Sequence, residues 1–164
     1  MRVLYLVFLL LAPCLFKCIF NQYNKLTLPR IICIDYGGKR CGLAVTDPLQ
    51  IIATALLTVE TKNLYTFLAD YFKKEEVELI LIGEPLNLDN TPTHATPLVK
   101  KAIVELEKKF PTIPVVTVDE RYSSKNAVRA MVEMGMKKVD RRDKKNIDLV
   151  AATMLLQEYL SYRS

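Results

Sequence analysis

Three acidic residues stand where apolar segments end. Asp35 closes the run Ile31–Ile34, Glu120 follows Val115–Val118, and Asp148 opens the helically spaced stretch that ends at Tyr162. In open α/β sheets, sites form beyond the carboxyl ends of parallel strands. Asp35 and Glu120 are therefore expected to meet at one sheet edge. Asp148 joins them if the last helix packs its N-terminal end over that edge. Clustered carboxylates repel one another unless a cation lies between them. Oxygen donors with no usable His or Cys favour Mg²⁺ or Mn²⁺ over zinc. One or two such ions can activate water and stabilise a leaving oxygen at a phosphodiester. Taken singly, each acid is better read as a solvated loop residue or a helix cap. The shared site is favoured because all three fall at element ends.

Basic residues flank these positions. Lys39 and Arg40 follow Asp35 closely and could hold a phosphate, or could simply solvate a hairpin turn. Arg121 follows Glu120, as a phosphate contact or as an ion pair that orients the carboxylate. Lys137, Lys138, Arg141, Arg142, Lys144 and Lys145 put six bases into nine residues just before Asp148. That cluster is either a solvated connector or a segment that grips nucleic acid. Asp140 and Asp143 dilute it. Ser123 and Ser124 read as helix caps rather than nucleophiles, because no base accompanies them. Asp47 is a fourth acid that more simply ends its strand. The single His94 is assigned no role.

Composition sets the frame. The chain of 164 residues is 51% hydrophobic and 25% charged, with a net charge of +5. That length suits one domain with its own core. Residues 1–29 hold three of the 23 bases and none of the 18 acids, which leaves the remainder nearly neutral. Basic character must therefore come from local clusters. The four cysteines, at 14, 18, 33 and 41, form no CxxC pair, so neither a disulfide framework nor structural zinc is indicated.

The elements that must position the acids follow from periodicity. Ile31–Ile34, Cys41–Val45 and Ile51–Val59 read as three strands joined by tight links. Leu64, Phe67, Leu68, Tyr71 and Phe72 mark a helix, with Thr61 as its expected cap. Val77–Ile82 is a strongly apolar strand, and Leu98–Phe110 a helix ended by prolines. Val115–Val118 reads as another buried strand. A helix runs from Ser123 or Ser124 to Met134 and stops at Gly135, and the last covers Ile147–Tyr162. Strands that alternate with helices run parallel. The expected α/β fold is a mixed five-stranded sheet flanked by helices, its first three strands antiparallel-linked and its later strands parallel.

The segment Met1–Phe20 has one basic residue before a long apolar run, interrupted at Lys17. It fits a signal peptide, a membrane anchor, or a mis-assigned translation start. The last is preferred, because the sequence from near Pro29 reads as an intracellular enzyme and because Leu26 and Leu28 stand where an alternative start codon would fall. The expected division is 1–29 as an apolar segment, mis-assigned or signal-like, and 30–164 as the working domain.

Asp35–Asp47 (DYGGKRCGLAVTD) resembles the opening signature of the YqgF/RuvX family. Val118–Ser124 (VDERYSS) resembles its second signature and Lys145–Ala152 (KNIDLVAA) its third. The similarity runs from about Ile31 to Leu160. It implies a ribonuclease H-like fold and a divalent-metal-dependent nuclease with Asp35, Glu120 and Asp148 as catalytic and metal-binding residues. Maturation of the 16S rRNA precursor is the favoured role, with Holliday junction resolution on branched DNA as the alternative. The implied partners are structured RNA ahead of branched DNA, and pre-ribosomal particles. The implied location is cytoplasmic, with no membrane partner, as monomer or homodimer. Two departures stand out. Glu84 replaces a usually uncharged residue and reads as an extra ligand or an exposed turn acid. Asp89–Pro92 lacks a glycine that the family often has. Two other classes remain: an actin-like ATPase, for which one domain is too few, and a non-catalytic nucleic-acid-binding assembly factor.

Overall fold

The computed structural model describes residues 28–85, 93, 95–119 and 123–163, without the side chains of Ser123 and Ser124. Five strands form one sheet: β1 (Arg30–Tyr36), β2 (Arg40–Thr46), β3 (Ala53–Glu60), β4 (Val77–Glu84) and β5 (Val115–Asp119). Their spatial order is β3-β2-β1-β4-β5. β1–β2 and β2–β3 are antiparallel, and β1–β4 and β4–β5 are parallel. Four helices accompany them: α1 (Leu64–Phe72), α2 (Thr96–Lys109), α3 (Ser123–Glu133) and α4 (Lys144–Arg163).

β1 is central and covered on both faces, which is why Ile31–Ile34 is continuously apolar. Ile32, Ile34, Cys41, Leu43, Ile80 and Ile82 face α1 and α2, meeting Leu64, Leu68, Val99 and Leu106. Ile31, Cys33, Ala44, Leu79 and Leu81 face α4, meeting Ala152, Leu155, Leu156 and Leu160. The period of two thus assigns each strand residue to one of two cores. α3 leans on α4 rather than on the sheet, with Ala127 and Met131 fully buried.

Four expectations are corrected by local chemistry. Val115–Val118 is the edge strand rather than a buried one, and Val116 is 40% exposed. Thr61 does not cap α1. Its hydroxyl donates to the Gly37 carbonyl at 2.7 Å, tying a short 3-10 turn (Thr61–Asn63) to the β1–β2 turn. α2 begins at Thr96, with Pro97 in its first turn where a missing N–H costs nothing. α4 begins at Lys144, a turn earlier than Ile147. Asp143 makes this possible: its carboxylate accepts the Lys145 amide at 2.9 Å, and its carbonyl accepts those of Asn146 and Ile147. Gly135 ends α3 as expected, at φ 72°, with the Met136 amide returning to the Met131 carbonyl.

Candidate functional site

Asp35 is the sixth residue of β1 and only 9% exposed. Its cross-strand partner is Gly42, and directly paired residues share a sheet face. That face is the one α4 covers. A methyl group at Gly42 would collide with the carbonyl of Asp148 and lie 3.0 Å from the Leu149 amide nitrogen. The absence of a side chain at Gly42 therefore lets the second turn of α4 settle directly onto the sheet. Asp148 is thereby held over the Asp35–Gly42 pair. Glycine inside a strand often marks such an approach of another backbone. That was the available sequence signal for Gly42, whose part in the site went unread.

Arg40 lies two residues before Gly42 on the same face. Its Nε donates to Asp148 Oδ2 at 3.2 Å, and both side chains are about one-quarter exposed. Arg40 is thus the counter-ion of one site carboxylate. Cys41, on the opposite face, reports the local field. Burial pushes its thiol from 9.0 to about 11, hydrogen bonding with Thr61 and Gly37 relieves part of this, and the charges of Asp35 and Asp148 add to it. Both acids therefore act on one point, and Cys41 stays a protonated thiol at neutral pH rather than a nucleophile.

Lys39 is exposed in the β1–β2 turn. The basic segment before α4 folds around a 3-10 turn, Asp140–Arg142. Arg141 donates to the Met136 carbonyl at 3.0 Å, and Asn146 to that of Asp140. Lys137, Lys138 and Arg142 are exposed. The segment therefore sits at the end of α4 that carries Asp148. Asp47 is structural. Slight desolvation opposes its ionisation, but the amides of Ile52, Ile51 and Leu49 outweigh it and hold the carboxyl below its usual range. Glu84, the half-buried last residue of β4, continues the face of Ile80 and Ile82, opposite to Asp35. Glu120, Arg121, His94 and Asp89–Pro92 lie outside the described residues. Among the described residues, no group of three or more His, Cys, Asp or Glu could hold a metal ion.

The RuvX family, described as Holliday junction resolvase, matches residues 29–162. The chain belongs to the RuvX family. Among its relatives is a protein of Christiangramia forsetii provisionally named as a pre-16S rRNA nuclease. It is 48% identical over 133 residues, covering 81% of this chain and 98% of the relative. A Bacteroides thetaiotaomicron protein with the same provisional name is 45% identical over 133 residues, covering 81% and 96%. The structure of T. thermophilus RuvC in complex with Holliday junction substrate aligns with a TM-score of 0.52 and 15% identity, over 83% of this chain and 96% of that one. This last similarity establishes the fold as ribonuclease H-like. Of the three segments that resemble RuvX signatures, the first lies on β1, the β1–β2 turn and β2 and the third on the first turns of α4, where Asp35, Gly42 and Asp148 come together; the second, Val118–Ser124, is only partly described. Among the described residues, no helix is long and apolar enough to cross a membrane.

Proposed function

We propose that this RuvX-family protein is a divalent-metal-dependent nuclease acting in the maturation of the 16S rRNA precursor, with Asp35, Glu120 and Asp148 as its metal-binding carboxylates. The observation that carries the reading is the close approach at Gly42, which sets Asp148 beside Asp35 on one face. The donor set suits a hard cation. Both acids offer only oxygen, the neighbouring thiol is protonated, and Asp148 already needs a positive partner in Arg40. Glu120 is the third ligand of the proposal, since it follows β5 two residues after Val118, which packs against the α4-side core.

A bound Mg²⁺ or Mn²⁺, one or two ions, would lower the pKa of a water and offset charge on the phosphate oxygens. Asp35, buried in the central strand, gives the rigid ligand, and Asp148 the more accessible one. Arg40, which pairs with Asp148, could also hold a phosphate there, to which its guanidinium can donate two parallel bonds. Lys39 adds charge at the same turn, and Arg121 follows the third acid. Lys137, Lys138, Arg141 and Arg142 lie in the segment just before α4, three of them exposed, so they can meet an anionic partner. Precursor 16S rRNA is the preferred substrate because the relatives are provisionally named as pre-16S rRNA nucleases, and structured RNA within pre-ribosomal particles and a cytoplasmic location go with that reading.

The family's description supports a second reading, cleavage of branched DNA. The two are separated by incubating the purified protein with Mn²⁺ and, in parallel, an end-labelled 16S precursor fragment and a four-way DNA junction. The RNA role predicts cuts in the precursor and none at the junction. Symmetric junction cuts by a dimer, with intact RNA, would overturn it.

A further inference from the structure

A cleft of about 540 Å³ opens beside the β1–β2 turn, between the end of β3 and the first turn of α4. Its lining includes Lys39, Arg40, Lys62 and Lys145, against one acid, Glu60. By contrast, a cavity of about 290 Å³ between β5 and the far half of α4 is lined by Asp119 and Glu158 with apolar and tyrosine side chains, and offers a polyanion nothing.

The four cations come from separate parts of the chain. Lys39 lies in the β1–β2 turn and Arg40 opens β2, and the Thr61 hydroxyl fixes that turn through the Gly37 carbonyl. Lys62 lies in the 3-10 turn after β3. Lys145 opens α4, and the Thr58 hydroxyl donates to its carbonyl at 2.9 Å, pinning the helix start to β3. The backbone of the cleft is thus rigid, while its ammonium groups reach into solvent.

These charges contribute little to the fold. The Lys62–Glu60 pair, at 2.8 Å, is 76% and 59% exposed, where ion pairs contribute little. Lys145 stands at a helix N-terminus, against the dipole. The Glu60 carboxyl is held below its usual range by Lys62 first and by the charge of Lys145 as well, so both ammoniums converge on one space.

Arg40 connects this space to the carboxylates. It lines the cleft and bonds Asp148, and Lys145 lies one helical turn before Asp148. A strand leaving the carboxylates past Arg40 enters the cleft directly.

We infer that this cleft binds backbone phosphates of the substrate nucleic acid next to the one being cut, with Lys62 and Lys145 as contacts and Glu60 as the acid they exchange for phosphate. The inference rests on the nuclease reading. It adds a strand path on the β2–β3 side of α4, separate from the Lys137–Arg142 segment.

The test measures binding of a fluorescent single-stranded RNA twelve-mer by the full chain across a salt series, in EDTA to prevent cleavage. Each phosphate contact on a single strand contributes about 0.7 to the slope of log K against log salt. Lys62→Gln with Lys145→Gln should flatten that slope by about 1.4. Glu60→Gln should tighten binding, because it removes the internal competitor; a structural role for these residues predicts no gain. Folding is checked by thermal denaturation, where neither variant should differ from the parent. An unchanged slope in the double variant, with the parent binding normally, overturns the cleft and leaves the nuclease reading intact. A parent that binds no nucleic acid at any salt overturns both.

Discussion

Replacing Gly42 with Ala adds one methyl group at the point where α4 touches the sheet. That methyl would overlap the Asp148 carbonyl and crowd the Leu149 amide nitrogen, 3.0 Å away. Both obstacles are backbone, so no side-chain rotation relieves them. To recover ordinary van der Waals separation, the first turns of α4 must retreat by roughly 1.5 Å. Overpacking of this kind costs about 1–3 kcal/mol, which for a domain of this size lowers Tm by roughly 3–15 °C. The functional loss should exceed the loss of stability. Asp148 moves with the helix while Asp35 stays in β1, and a misplacement of about 1 Å can cost on the order of 100-fold in rate. Gly38→Ala is the control, because its methyl would meet only Leu98 Cδ1 at 3.7 Å, an ordinary contact. Differential scanning calorimetry reads the stability, and Mn²⁺-dependent cleavage of a labelled precursor RNA reads the rate. A Gly42→Ala protein with parental Tm and parental rate would refute the close-approach argument.

Three further outcomes are expected. The Cys41 thiol ionises in the folded state only near pH 11, against an ordinary value of 9.0. Its contribution, about 2–3 kcal/mol from a shift of that size, is therefore fully present below pH 9 and lost as pH rises through 11. Urea unfolding of the parent and of Cys41→Ala across pH 8–11 checks this, and parallel curves would contradict it. Neutralising Lys137, Lys138, Arg141 and Arg142 together should weaken nucleic-acid binding at low salt and flatten its salt slope by up to about one unit per lost contact; an unchanged slope would make that segment a solvated connector. A chain beginning at Pro29 should fold with parental stability, since the family match begins at residue 29; a large fall in Tm would show that residues before 29 support the core.

The central strands were legible in the sequence because burial on both faces writes an uninterrupted apolar run, as at Ile31–Ile34 and Val77–Ile82. The same rule misled at Val115–Val118, because an apolar run does not say how many neighbours its strand has. The start of α4 was hidden because Asp143, the acid that caps it, sits among charges that look uniformly solvated. Asp35 and Asp148 could be singled out from their positions at element ends, and the three signatures matched the RuvX family. How the two acids meet was not legible. It depends on Gly42, whose significance is an absent side chain opposite a helix far away in sequence. The cleft was hidden for a related reason: Lys62 and Lys145 become neighbours only when α4 folds back across β3. Glu120 rests on sequence position and family signature alone.

The most direct test of the metal-dependent nuclease account is the cleavage rate of an end-labelled 16S precursor fragment by Asp35→Asn, measured with Mn²⁺ beside the parent. Asp35 gives the buried, rigid carboxylate, and its conversion to an amide removes charge without volume, relieving repulsion from Asp148. The account predicts that the parent cuts only when the metal is present, and that Asp35→Asn folds with an unchanged or slightly raised Tm yet cuts at no measurable rate. Cleavage by Asp35→Asn at the parental rate would contradict it.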